Sequence, residues 1–343
     1  MAYISFQPSD FFITNLWTGT GAELAITNVG FQSDSTLIKE RNGGNAWNWF
    51  DSVRGATNYL KTSGQNAQAT DAETLKSWQS TGFTVGTSVA ENDSGQLYTA
   101  FNWKAGTTTG ISGGTITPSG YSFNTTPAVS IVEFPGTGAV ATVPHGLGVV
   151  PECIIVKNLD NASGDWCVYH KDLDSNNYRL KLNENIAQQT SSTTWAQTDP
   201  TSSVFSLGSS SDVNGSGQDS IAYVFRGVNG FSKFGIYRGN GNADGPFVFT
   251  GFRPALVVTK RTDSIGSWCT YTDKVLGYNP DNDQFLLNDN GAAGVGNNID
   301  LLSNGFKLRV STAESNASGG EFIYMAFAEF PFVSSNSKPG LAR

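Results

Sequence analysis

The sequence has few of the residues that most often carry out chemistry. Its 343 residues include only two histidines and three cysteines, and charged residues make up 15% of the chain. The cysteines are too few for a disulfide framework, and their spacing does not match the usual zinc sites. We therefore expect reduced thiols packed in the core, where cysteine behaves as a small apolar side chain: Cys153, Cys167 and Cys269.

Concentrated basic charge and long apolar runs are also lacking. The formal net charge is −8, and the 21 Lys and Arg are scattered along the chain. Nucleic acid and anionic membrane surfaces are therefore disfavoured as partners. No apolar run approaches the roughly 18 residues of a spanning helix. The start, "MAYISFQPSDFF", shows no signal-peptide pattern, so we expect synthesis in a cytosol without a cleaved signal.

Glycine and aromatic residues are abundant instead. The chain has 39 Gly, and aromatics reach 12%. Together with frequent Ser, Thr and Asn, this composition is typical of many short strands joined by turns. The sequence predicts an all-β protein, and its length suggests two or three domains.

One sequence pattern occurs three times. An alternating strand meets a Gly-x-Gly turn, and a later strand ends in a lysine, over residues 11–42, 129–158 and 234–262 with Lys39, Lys157 and Lys260. Each copy is followed by a tryptophan that stands three residues before an aromatic, and later by a Ser-Gly turn and an aromatic-rich strand: Trp47, Trp166 and Trp268. The repeat predicts three tandem antiparallel β-sandwiches at residues 1–118, 119–230 and 231–343.

Local features within the repeats give further expectations. The first glycine of each turn (Gly19, Gly136 and Gly239) is expected at positive φ. Alternation over 131–134 and 180–182 predicts half-buried strands. The stretch "DAETLKSWQ" (71–79) could be a short helix capped by Asp71, or an extended loop.

Catalytic motifs are missing from the sequence. It has no Gly-x-Ser-x-Gly elbow, no His-Glu-x-x-His and no Walker-type loop. His145, in "VPHGLG", fits a turn-stabilising hydrogen bond better than a catalytic base, and His170 has no equivalent in the other repeats. Most carboxylates lie in turn-like stretches, where Asp and Asn bond their own backbone. We expect no catalytic and no cofactor-binding residue.

Calcium is the one metal that the loops suggest. The stretch "DLDSNN" (172–177) matches the first half of an EF-hand loop, but Asn177 replaces its Gly and Asn183 stands where a bidentate Glu is needed. A second acidic loop is "NPDNDQ" (279–284). Plain turns explain both loops better, so we expect no metal ligand, with loop calcium as the alternative.

Tryptophans could be core residues or sugar platforms. The three repeated tryptophans recur at one position beside strand aromatics, which favours burial. If a glycan site exists, the variable loops and the unrepeated tryptophans are better candidates: Trp17, Trp103 and Trp195.

The stretch "WNWFDSVRGATNYL" from Trp47, together with "SGQLYTAFNWKAG", "HGLG" and "YMAFAEFPFVSSN", resembles a concanavalin A-like domain of unknown function that recurs in virion and tail proteins of marine bacteriophages. The resemblance covers nearly all of the chain and implies a concanavalin A-like or jelly-roll-like fold. Repeats two and three have "VYHKDL" and "TYTDKV" in place of "FDSVRG". Asp51 and Arg54, expected to form a structural ion pair at a strand end, are therefore not shared by all three repeats.

The resemblance implies a component of a virus particle. We expect a non-enzymatic virion structural protein, a capsid decoration or knob-like surface protein that binds other particle proteins as a homo-oligomer, with a trimer favoured. The first predicted sandwich begins near Met1, which favours this location over a fibre shaft. The polar end "VSSNSKPGLAR" could dock on a neighbouring subunit. The alternatives are a tail fibre or spike adhesin that binds host surface glycans, and an envelope-degrading enzyme.

Overall fold

The computed structural model describes residues 6–275, 279 and 282–330, and the chain is all-β. Helix accounts for only 5% of it. The described residues contain a 3-10 turn at Pro8–Asp10 and three helices of four residues each, none long enough to cross a membrane: α1 (Val89–Asn92), α2 (Ser211–Asn214) and α3 (Ala313–Asn316).

Segment 1 (residues 6–118) forms two antiparallel sheets. Its strands are β1 (Phe12–Thr18), β2 (Leu24–Ile26), β3 (Ser35–Glu40), β4 (Asn48–Asp51), β5 (Asn58–Lys61), β6 (Ala69–Thr70), β7 (Leu75–Gln79), β8 (Gly82–Val85) and β9 (Leu97–Trp103). The large sheet has the order β1-β9-β3-β4-β5-β6, and the small sheet has the order β2-β8-β7.

Segment 2 (residues 119–230) also forms a large and a small sheet. Its strands are β10 (Gly120–Asn124), β11 (Val129–Pro135), β12 (Ala141–Pro144), β13 (Cys153–Asn158), β14 (Cys167–His170), β15 (Tyr178–Lys181), β16 (Gln189–Thr190), β17 (Val204–Leu207) and β18 (Asp219–Phe225). The large sheet has the order β10-β11-β18-β13-β14-β15-β16, and β12 pairs with β17.

Segment 3 (residues 231–330) follows the same plan. Its strands are β19 (Ser232–Arg238), β20 (Phe247–Phe249), β21 (Pro254–Arg261), β22 (Cys269–Thr272), β23 (Phe285–Leu286), β24 (Ile299–Leu302), β25 (Gly305–Leu308) and β26 (Glu321–Ala328). The sheets have the orders β19-β26-β21-β22-β23 and β20-β25-β24. The large sheets of the three segments share one order of five strands; segment 2 adds β10 at one edge, and segments 1 and 2 add β6 and β16 at the other edge.

Each large sheet is buried on both faces. One face meets the small sheet of its own segment across a separate apolar cluster. The other face contributes to one central core that takes residues from all three segments. The prediction of half-buried strands therefore fails in part: in β11, Ile131 faces the central core and Val132 faces the cluster of segment 2. Strands β3 and β13 are buried along their whole length.

The stretch 71–79 is not a helix. Residues 75–79 form β7, in which Trp78 pairs with Phe83 of β8. Asp71 closes a turn instead, because its Oδ1 accepts the N–H of Glu73 at 2.8 Å. Pairing with β8 and burial of Leu75 override the local helical pattern.

The prediction that the first glycine of each Gly-x-Gly turn adopts positive φ is wrong. The first glycines of the three turns do not adopt positive φ; the second ones do, namely Gly21, Gly138 and Gly241 at φ 68°, 70° and 68°. The first glycines are instead packed against a main-chain carbonyl oxygen. An added Cβ would lie 2.0 to 2.2 Å from the carbonyl oxygens of Asp93, Gly215 and Ala317 at Gly19, Gly136 and Gly239 respectively.

We predict that Gly136→Ala lowers the free energy of unfolding by about 1–3 kcal/mol, because the new methyl group must displace rigid backbone. Gly44→Ala is the matched control, since an added Cβ there meets nothing within 4 Å. Urea unfolding of both variants measures the difference. Equal stability of the two variants would contradict the close-approach explanation.

Candidate functional site

The three repeated tryptophans join the segments at the central core. They lie just before β4, β14 and β22 and are buried, which confirms the core prediction. Each indole N–H donates to a carbonyl of another segment: Trp47 to Leu286 at 3.1 Å, Trp166 to Lys61 at 3.0 Å and Trp268 to Lys181 at 2.8 Å. The bonds run in a cycle from segment 1 to 3, from 3 to 2 and from 2 to 1. Each repeated tryptophan therefore also contributes to the contact between two segments.

The three repeated lysines cross the same interfaces. Each is fully buried, and each Nζ donates to three main-chain carbonyls. Lys39 reaches Asn290 of segment 3 at 3.0 Å, and Lys157 reaches Gln65 of segment 1 at 3.1 Å. Lys260 reaches Ile186 of segment 2 at 2.7 Å. The lysines thus follow the cyclic order of the tryptophans.

These lysines bind backbone and not carboxylates. None of the three forms an ion pair within the described part of the chain. Desolvation by burial lowers the pKa of each to about 8: Lys39, Lys157 and Lys260. A lysine whose pKa is lowered by burial can indicate a catalytic amine. Here the carbonyl oxygens saturate all three donor positions of each ammonium group, which makes it a structural brace.

A buried ion pair links segments 1 and 2. Arg54 Nε lies 2.6 Å from Asp51 Oδ2, and both side chains are buried. Tyr223 of segment 2 donates its hydroxyl to the same Asp51 oxygen at 2.7 Å. Burial opposes the charge on Arg54, but Asp51 and Tyr223 raise the arginine's pKa. The expected structural ion pair is confirmed, and it also spans an interface.

A small apolar cavity lies where the three segments meet. Its volume is about 30 Å³, and apolar residues of every segment line it, among them Trp49, Ile155 and Phe327. A cavity without polar partners does not hold water stably. The centre of the molecule is therefore packed, and it is not a channel.

The histidines and cysteines have structural surroundings. His145 is buried; its Nδ1 accepts the N–H of Leu147 at 3.2 Å, and its Nε2 lies 3.1 Å from the carbonyl oxygen of Thr201. This is the predicted turn-stabilising contact. Burial lowers the pKa of His170 to about 4. All three cysteines are free and buried, as expected, and burial raises the pKa of their thiols.

The loops proposed for calcium hold other contacts. Asp172 lies 3.1 Å from Lys171, and the N–H of Asp174 donates to Gln188. Within residues 6–275, 279 and 282–330, no group of three or more His, Cys, Asp or Glu is placed to hold a metal ion. Asp281 of the second loop lies outside the described residues, as does the C-terminal stretch 333–343.

The unrepeated tryptophans do not offer open sugar platforms. Trp103 and Trp195 are buried. Trp17 is half-buried, stacks on Tyr98 and donates its indole N–H to the Glu91 carbonyl at 3.1 Å. The suggestion that these three are the better glycan candidates is therefore wrong for Trp103 and Trp195.

Three buried asparagines were missed by the sequence analysis. Each ends a short helix, and its side chain ties the Gly-x-Gly turn to the loop before the helix. Asn214, for example, donates to the carbonyls of Ala139 and Gly208 at 2.6 and 2.8 Å and accepts the N–H of Thr137. The equivalents are Asn92 and Asn316. The signal was present, because each precedes a Ser-Gly pair by two residues.

Glu91 is a buried acid without an equivalent. It accepts a hydrogen bond from Asn48, and burial raises its pKa to about 7. Segments 2 and 3 have Val213 and Ser315 at this position of their helices. No described cation pairs with Glu91, so its charge opposes folding.

Taken together, the chain is an all-β protein whose three segments are joined by buried side-chain to main-chain bonds. It belongs to the family described as Domain of unknown function (DUF7483), whose pattern matches residues 7–331. The match includes all three segments. No curated protein shows significant similarity to the chain.

We predict that Trp166→Ala lowers the free energy of unfolding by about 3–5 kcal/mol, as expected for a buried large aromatic. Trp166→Phe keeps a ring but frees the Lys61 carbonyl, and should cost about 1–2 kcal/mol. Trp78→Phe is the control, because the half-buried Trp78 indole bonds no described residue. In hydrogen exchange, the Trp166→Ala variant should lose protection in β5 of segment 1 as well as in segment 2. Loss confined to segment 2 would contradict the shared core.

We predict that Glu91 weakens the protein as the pH rises. Its folded pKa of about 7 exceeds the ordinary value of 4.5, so the unfolded chain ionises first between these values. Above pH 7 the penalty reaches about 3 kcal/mol. Relative to Glu91→Gln, the wild type should therefore lose stability between pH 4.5 and 7.5 in urea titrations. Glu23→Gln, at an exposed position, is the control; equal pH profiles for wild type and Glu91→Gln would refute the assignment.

Proposed function

We propose that the chain consists of three copies of one antiparallel β-sandwich, of concanavalin A-like or jelly-roll-like type, with boundaries near residues 118 and 230. The shared strand order of the large sheets supports this proposal. So do the repeated lysine, tryptophan and asparagine contacts. Because the contacts between segments run in a cycle, we further propose that the copies surround a pseudo-threefold axis.

We propose that the protein is a non-enzymatic structural component of a bacteriophage particle, displayed on the capsid as a decoration or knob-like protein. The observation that carries this proposal is the cyclic set of buried braces, which joins three sandwiches into one rigid body. The three buried lysines bond main-chain carbonyls, and the buried Arg54 bonds Asp51 and Tyr223. Such use of buried charge is typical of a scaffold, and the resemblance to phage virion proteins supplies the setting.

The proposed partners are other virion proteins, and a homo-trimer is the proposed assembly. Phage capsids and tails contain threefold positions, which a trimer of identical chains would match. One chain with internal threefold symmetry could match the same position alone. The mass of the purified protein in solution distinguishes the two arrangements.

The proposal is tested on purified protein and on intact particles. A map of the particle should place the chain on the capsid surface, and light scattering should give the mass of a trimer. Incubation with host polysaccharide and peptidoglycan should release no reducing ends. Release that is abolished by mutating one pair of carboxylates would replace the proposal with an envelope-degrading enzyme. A tail location with saturable glycan binding would replace it with an adhesin.

A further inference from the structure

The three segments differ at one edge of their large sheets. In segment 2, the outer edge of β11 is covered by β10. The stretch leading into β10 also bonds the small sheet, because the N–H groups of Thr115 and Ile116 donate to the Thr142 carbonyl in β12 at 3.0 Å. We call residues 111–124 the strap. It bridges the edges of both sheets and buries Ile116 in the cluster of segment 2.

Segment 3 has no strap from the described chain. The connection before β11 runs over residues 104–128, whereas that before β19 has only residues 226–231. No described strand pairs with the outer edge of β19. Between β19 and β20, where segment 2 holds its strap, lies an open groove of about 380 Å³.

The groove exposes apolar side chains. Phe247 and Phe249 are 46% and 56% exposed, and Ile236 is 58% exposed. Segment 1 shows what an uncovered edge of this kind otherwise carries. Val248 of segment 3 pairs with Phe306, and Ile26 of segment 1 pairs with the equivalent Phe83. The residues of segment 1 that correspond to Phe247 and Phe249 are therefore Ala25 and Thr27. Large aromatic side chains at an open edge are characteristic of an interaction surface.

The charge in the groove is also unbalanced. Lys171 pairs with Asp172, but Lys233 forms no ion pair with a described residue. Its Nζ donates to the Phe249 carbonyl at 2.7 Å and lies 5.1 Å from the centre of that ring. The groove thus contains an ammonium group that has no carboxylate partner among the described residues, and this group complements a carboxylate on an occupant.

We propose that this groove binds an extended segment of a partner protein, which adds to β19 as an antiparallel strand in the way that β10 adds to β11. Such strand addition takes its affinity from main-chain bonds and its specificity from alternate side chains. A second copy of this chain fits less well, because a flat sheet edge would pair with β19 without filling the space beside β20.

The strap defines the chemistry of the occupant. Tyr121 lies opposite Val132, and Phe123 lies opposite Ser130. Strand β11 pairs with β18 over seven residues, and β19 pairs with β26 over seven equivalent residues. In this alignment Val132 corresponds to Gly235, and Ser130 corresponds to Lys233. The occupant therefore carries an aromatic residue opposite Gly235, as Tyr121 stands opposite Val132, and its ring would pack on the Tyr324 ring, which fills the space beside Gly235 and lines the groove. Two residues later it carries an acidic residue opposite Lys233.

The test uses the full chain and a labelled peptide with the sequence of residues 111–124 that carries Phe123→Glu. We expect saturable binding by fluorescence anisotropy. The double variant Phe247→Ala/Phe249→Thr, which installs the residues of segment 1 at exposed positions, should weaken binding at least about tenfold. Its melting temperature, compared with that of the wild type, checks folding.

A charge exchange makes the test independent of that variant. The Lys233→Glu variant should no longer bind the acidic peptide and should instead bind a peptide with Phe123→Lys. A folding defect would not produce this exchange of preference. Absence of saturable binding of the acidic peptide up to ~1 mM would overturn the proposal. Peptide binding that neither protein variant changes would also overturn it. A dimer of the chain, or a complex with a glycan, that the wild type forms and the double variant does not form would overturn it too. None of these results depends on whether the chain belongs to a virion, so this inference and the proposed function fail separately.

Discussion

Each repeated tryptophan gives its indole N–H to the backbone of a neighbouring segment, and each repeated lysine does the same with its ammonium group. These bonds are required because the large sheets are buried on both faces. Where such sheets meet, loop carbonyls at the rim of the core lose contact with water, and an unsatisfied carbonyl costs about 1–3 kcal/mol. A long side chain with three donors satisfies several carbonyls at once.

The lysines also show why burial and function should not be equated. Desolvation lowers their pKa to about 8, a shift that in a cleft would suggest a catalytic amine. Their position in the fold decides otherwise, since in all three segments the bonded atoms are backbone oxygens, at least one of which belongs to a neighbouring segment. A shared core with such braces couples the segments, so they should unfold together more readily than separately.

Much of this organisation could be predicted from the sequence. Landmarks such as Trp166 and Lys157 identified equivalent positions, and the composition indicated an all-β chain. The sequence could not show which segment each side chain contacts, because periodicity within a strand reports a buried face and not the identity of what covers it. The same limit explains the stretch 71–79, whose helical pattern yields to pairing with β8. It also explains Gly136, whose neighbour across the turn lies about 80 residues further along the chain.

The proposed fusion of three related units in one polypeptide has a consequence for stoichiometry. A trimer of identical chains presents every surface three times. A ligand site on it therefore binds three ligands, or three identical sites compete for one ligand. Here strand β10 occupies an edge in the middle segment, whereas no described strand covers the corresponding edge of the first or the third segment. Beside that edge the third segment carries the exposed Phe247 and Phe249, where the first segment has Ala25 and Thr27. Each chain can therefore offer a single directional contact within the proposed threefold arrangement of its segments, and the groove distinguishes one segment from the other two.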